Sequence, residues 1–178
     1  GLLDRAEDAL QRLEGTPFEA QARLALLAIY ERSRDWPHAA SIARKMLAAD
    51  QGDFSTRQAH YLCEQALALI AQGDLPGAQA LLDQAVAAAP EAARARIELA
   101  RLQRLMGQPA AVLSTLKTLG ERNPAALPLA APLMVEAATA TGRTPEIHAL
   151  LQAHYAQAPS LDVLESIVAM EAADEATR

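Results

Sequence analysis

Aromatic side chains make up only 3% of this 178-residue chain. Residues that favour strands, β-branched and aromatic, are scarce, which excludes an all-β fold. Lysine occurs only at positions 45 and 117, and the formal net charge is -6. That balance speaks against general nucleic-acid binding, which calls for a basic excess. Cys63 is the single cysteine. It excludes an internal disulfide and a cysteine-based zinc site. No apolar run reaches the ~18–20 residues that span a membrane, and no signal-peptide pattern is present. Low charge density and plentiful leucine exclude a disordered chain.

What is there is alanine and leucine, 42 and 27 residues respectively. Both are strong helix formers, and alanine lets helices approach closely. The composition predicts an all-α protein, and the length suits one domain over residues 1–178. The chain begins at Gly1, and Leu3 to Ala6 already reads as helix, as does Glu171 to Arg178. These ends predict a piece of a longer protein.

Internal periodicity organises the rest. Pro90, Pro124 and Pro159 lie 34 and 35 residues apart, as do Gly73, Gly107 and Gly142. Between each glycine and its proline runs an amphipathic segment: Ala78, Leu82 and Ala85; then Val112, Leu116 and Leu119; then Ile147, Leu151 and His154. Spacings of three and four place each set on one helix face. Earlier copies carry Ala39, Ala43 and Met46, and Ala6, Leu10 and Leu13. The anchors Ala6, Ala39, Ala78, Val112 and Ile147 are separated by 33, 39, 34 and 35 residues. The long interval predicts an insertion of five residues within Ala49 to Ser55. Pro109 and the run Pro124 to Pro132 break the pattern, and Pro128 or Pro132 is expected near a helix start.

This phase resembles the tetratricopeptide repeat, a helix–turn–helix unit of about 34 residues. Leu26, Leu27 and Tyr30, then Leu69, then Leu99 and Ala100 stand where that family packs its first helix on its second. The resemblance implies a solenoid, a right-handed superhelix of antiparallel helix pairs, with about four full repeats and partial helices at the ends. The first helix of each repeat then lines a concave groove that holds a peptide or helix of another protein. By the usual geometry of the repeat, the groove positions are Gln21, Leu24, Ala28 and Glu31; His60, Cys63, Leu67 and Ile70; and Arg94, Ile97, Arg101 and Arg104. Three guanidiniums beside an apolar side chain are suited to clamping an acidic or C-terminal peptide group. The competing reading is that each arginine pairs with a neighbouring helix. A carboxylate clamp of the chaperone type is not expected, since Asn123 is the single asparagine.

No phosphate loop, zinc-protease motif or nucleophile elbow is present. His148 and His154 stand six residues apart and face different sides of a helix. Neither catalysis, metal nor cofactor is expected of this chain. Cys63, among Leu62, Ala66 and Leu67, reads as a buried, inert thiol.

Two segments carry a narrower resemblance. Gly1-Leu2-Leu3-Asp4-Arg5-Ala6-Glu7-Asp8 and Ala59-His60-Tyr61-Leu62-Cys63-Glu64-Gln65-Ala66-Leu67 are similar to stretches of the lipopolysaccharide assembly protein B family. The long connection before Arg57 is similar too. The resemblance implies an adaptor on the cytoplasmic side of the bacterial inner membrane. In that family a membrane helix precedes the repeats and a rubredoxin-like metal module follows them. The implied role is to promote proteolysis of the deacetylase LpxC by the membrane protease FtsH, with contacts to other envelope proteins. Alternatives are an assembly factor for another envelope, pilus or secretion system, or the substrate-binding repeats of a larger transferase. Exposed end helices of a solenoid also admit a homodimer.

Overall fold

A computed structural model describes residues 1–177. Ten α-helices follow one another among these residues. They are α1 (Leu2–Gln11), α2 (Glu19–Ser33), α3 (Trp36–Ala48), α4 (Ser55–Gln72), α5 (Leu75–Ala88), α6 (Ala93–Leu105), α7 (Pro109–Arg122), α8 (Leu127–Thr141), α9 (Thr144–Gln157) and α10 (Leu161–Thr177). A single 3₁₀ turn, Pro124–Ala126, leads into α8. The fold is all-α, made of the helix pairs α2/α3, α4/α5, α6/α7 and α8/α9. α1 is a second-type helix and α10 a first-type helix. The helices form two compact units, Gly1–Ala89 and Pro90–Arg178.

The recurring glycines and prolines each have a backbone reason. Gly73, Gly107 and Gly142 adopt φ of 85°, 69° and 68°, the left-handed conformation that ends a helix without a Cβ penalty. One residue after each glycine, the same bond recurs. The amides of Asp74, Gln108 and Arg143 donate to the carbonyls of Leu69, Gln103 and Ala138 at 2.9 Å. In the first pair Asp35 donates to Tyr30 at 2.8 Å. There the left-handed residue is Arg34, with φ 57°. The glycine of that repeat is an arginine, which hides the fourth member of the series from a search for glycines.

Second helices start alike. Asp35 and Asp74 accept from the amides of His38 and Gly77 at 3.3 and 3.0 Å, an N-cap worth about 1 kcal/mol. Proline occupies the first turn of α3, α5, α7 and α9. Pro109 is therefore a helix start, where its missing N–H has no partner to lose. Second helices also stop alike. Ala89, Asn123 and Ala158 are extended, with φ near -138° and ψ near 80°, because each precedes a proline. Pro128 lies in the first turn of α8, as expected, whereas Pro132 sits inside that helix on its exposed side.

The five extra residues do not all lie between Ala49 and Ser55. The connection after α3 runs over residues 49–54, against 89–92 after α5. Most of the insertion lengthens α4, which has 18 residues against 15 in α2 and 13 in α6. Asp50 and Gly52, with φ of 53° and 126°, shape the connection itself.

The anchor positions form the cores. Ala39, Ala43, Ala78, Leu82, Val112, Leu116, Ile147 and Leu151 are all 0% exposed. In the first unit Ala39 and Ala43 join Leu26, Leu27, Tyr30, Met46 and Tyr61. In the second Val112, Leu116, Ile147 and Leu151 join Leu113, Leu119, Ala130, Met134, Val163 and Ile167. Burying a leucine or valine side chain yields about 1.5–3 kcal/mol, and no isolated pair buries its whole apolar face.

Candidate partner-binding faces

In the second unit, α6 presents Arg94, Arg101 and Arg104 to solvent on one side. The three-four-three spacing does place them together. Ile97 does not join them as an accessible apolar contact. It is 8% exposed and belongs to the core cluster that includes Leu113 and Ala130. Arg101 donates to Glu98 on its own helix at 2.8 Å. Arg104 reaches Glu136 on α8 at 3.3 Å. Both pairs are exposed, and such pairs contribute about 0–1 kcal/mol, so an incoming carboxylate competes with them at little cost. One repeat on from Arg94, Ile97, Arg101 and Arg104 stand Leu129, Pro132, Glu136 and Thr139, all exposed. The apolar component of this face is thus Leu129, 68% exposed, rather than Ile97.

In the first unit, Gln21, Leu24 and Ala28 are exposed along α2. Glu31 is half-buried and accepts a hydrogen bond from the Tyr61 hydroxyl of α4. Burial, and secondarily this bond to Glu31, raises the tyrosine's pKa well above its usual value. Glu31 therefore ties α2 to α4. His60 and Leu67 are half-buried and Cys63 is buried. The His60 ring packs edge-on against Trp36 and Tyr61 at 5.7 Å. Trp36 stacks on Tyr61 at 6.0 Å, and Gln65 donates to the Trp36 carbonyl at 3.3 Å. Of the first unit's groove positions, Gln21, Leu24 and Ala28 are the most accessible.

Two features escaped the sequence reading. Arg96 is 8% exposed and donates twice to the Pro90 carbonyl, at 3.3 and 3.1 Å. Spacing alone does not set Arg96 apart from the exposed Arg94, Arg101 and Arg104 on the same helix. The second is a cleft of about 190 Å³ where α1, α2 and α3 meet, floored by Ala22, Leu26 and Ile42. Lys45 pairs with Glu14 at 3.2 Å on its rim, and Arg23 pairs with Glu19. Its residues come from three separate helices, so no local spacing announces it. Among the described residues no group of three or more His, Cys, Asp or Glu is placed to hold a metal ion. No described helix is long and apolar enough to cross a membrane.

The family model of the tetratricopeptide repeat matches residues 69–137, which run from α4 to α8. The chain has the fold of tetratricopeptide repeats. Solved repeat structures share the fold. MamA superposes with a TM-score of 0.51 at 17% identity, covering 99% of this chain and 92% of that one. YrrB, a repeat protein with an unusual peptide-binding site, gives 0.51 at 16% identity, covering 95% and 84%. Among curated relatives, lipopolysaccharide assembly protein B of Escherichia coli is 33% identical over 118 residues, 66% of this chain and 30% of that protein. The Haemophilus influenzae protein of that name is 30% identical over 125 residues, 70% and 31%. The matched part of the repeats thus spans less than a third of these relatives' length. Repeat fold and relatives together support a protein-interaction adaptor.

Proposed function

We propose that these repeats are a non-catalytic adaptor in the regulation of lipopolysaccharide synthesis, assisting proteolysis of LpxC by FtsH. The reading places the chain on the cytoplasmic side of the inner membrane, tethered through its parent protein. It rests on one observation above the others, the 33% identity to lipopolysaccharide assembly protein B across 118 residues. The α6–α8 face supplies a chemistry for the contact. Arg94, Arg101 and Arg104 beside Leu129 suit an acidic or C-terminal peptide segment, bidentate guanidinium–carboxylate bonds giving it orientation.

The test is reconstitution of FtsH in vesicles with LpxC, with and without the chain tethered to the same bilayer. LpxC turnover should accelerate when the chain is present, and Arg101→Glu with Arg104→Glu should remove the acceleration while far-UV circular dichroism stays unchanged. Turnover that ignores the chain would overturn the proposed role. Acceleration that survives the double substitution would move the contact away from α6.

A further inference from the structure

Arg104 of α6 turns a single guanidinium nitrogen towards Glu136 of α8. Its Nη1 lies 3.3 and 3.5 Å from the two carboxylate oxygens, and the two side chains are 56% and 57% exposed. Arg104 makes no other hydrogen bond or ion pair among the described residues. A guanidinium offers five N–H donors in a planar fork, and a carboxylate satisfies it best through two parallel bonds. The contact with Glu136 is therefore partial, one nitrogen divided between two oxygens with the rest of the fork unused. Arg101 differs, since it is held at 2.8 Å by Glu98, whose side chain is only 12% exposed. Glu136 occupies the position that Arg101 holds one repeat earlier. One carboxylate thus projects from α8 onto a face whose α6 half carries three guanidiniums.

The apolar part of the same face lies further back along α8. Leu129 is 68% exposed, and Pro132 is exposed as well. A helix rises about 1.5 Å per residue, so Leu129 and Glu136 stand about 10 Å apart along α8. An extended peptide covers that distance in about three residues. Pro132 gives no N–H to the Pro128 carbonyl, which leaves an acceptor beside Leu129 for a main-chain amide. We infer that Glu136 holds the place of a ligand carboxylate on Arg104, and that this face takes an extended segment with an apolar side chain on Leu129 and an acid about three to four residues beyond it. The inference rests on the α6–α8 face being the contact surface proposed above. As the ligand acid arrives, Glu136 swings away from a like charge, and a forked bond replaces the single-nitrogen contact. A segment with a neutral group there leaves Arg104 paired with Glu136. Glu136 therefore weakens acidic ligands without excluding them.

A phage-displayed library of random dodecapeptides, selected on the 178-residue chain, tests this. It should return peptides with an apolar residue and Asp or Glu three or four positions beyond it. Measured by fluorescence anisotropy, these peptides should bind Glu136→Gln about three- to fivefold more tightly than the unsubstituted chain. Glu121→Gln makes the same charge change at an exposed position of α7 and should leave affinity unchanged. Arg104→Ala should weaken binding, and in its presence Glu136→Gln should gain nothing. Versions of the peptides with that acid replaced by its amide should bind weakly and ignore Glu136→Gln. Far-UV circular dichroism checks that each variant keeps its helices. Peptides that depend on Arg104 but are indifferent to Glu136→Gln overturn the inference and leave the face standing. Peptides that lack the acid or ignore Arg104, or a library that returns none, overturn the face together with the inference.

Discussion

Tyr30 of α2 donates its hydroxyl to a Glu7 carboxylate oxygen of α1 across 2.6 Å. The tyrosine is 4% exposed, so this bond is what lets a phenol lie between α1 and α3. Tyr30→Phe should lower stability by about 1 kcal/mol, seen as a fall in the urea midpoint with an unchanged slope. Burial first, and the Glu7 bond second, push the Tyr30 pKa up from 10.0 to about 12. The folded state thus favours the neutral phenol. Its contribution is complete below pH 10 and is lost as pH rises towards 12, since the unfolded chain gives up that proton first. The loss of stability over this window should be smaller in Tyr30→Phe, with Tyr61, raised in the same direction, supplying the remainder.

Arg34 holds a left-handed backbone that costs a side-chain-bearing residue roughly 1–2 kcal/mol. Arg34→Gly relieves it, and the added freedom of the unfolded chain takes back part of the gain. A net stabilisation of up to about 1 kcal/mol is expected. Gly73→Ala, with φ 85°, should lose about 1 kcal/mol. Thermal midpoints that moved the other way would refute the equivalence of the two positions.

Pro132 lies within α8 on its exposed side. It cannot donate to the carbonyl four residues before it, and its ring crowds that carbonyl. Pro132→Ala should raise the thermal midpoint, with a gain of about 1–3 kcal/mol. Hydrogen exchange at the following amides should slow in parallel.

Ala78 is 0% exposed, between α4 and α5. Ala78→Leu overpacks that contact and should cost about 1–3 kcal/mol. Leu82→Ala, one turn on, leaves a cavity and should cost about 2–5 kcal/mol. A melting temperature indifferent to both changes would contradict the packing phase.

The second helices were legible in the sequence because their chemistry repeats. Ala78, Val112 and Ile147 recur at one interval, and every extended pre-proline stop is announced by its proline. The first helices were less so, since backbone conformation there is carried by residues of unlike type. Arg34 does what Gly73 does, and nothing in its identity says so. The insertion falls partly outside Ala49 to Ser55 because the repeat interval gives its length and not its place, and α4 takes up most of it as extra helix. At the candidate face, helical spacing groups Arg94, Arg101 and Arg104, and all three are exposed. It put Ile97 with them because spacing along one helix does not reveal which residues a neighbouring element closes over.

Trp36 is the single tryptophan, and it stacks on Tyr61 within the first compact unit. Phe18, Tyr30 and Phe54 lie in that unit as well, leaving Tyr155 as the lone aromatic of the second. Emission excited at 295 nm (roughly the red edge, where tryptophan absorbs and tyrosine scarcely does) therefore reports on one half of the protein, while amide ellipticity reports on both. A denaturation curve followed by the two signals becomes a direct measure of whether the halves melt as one.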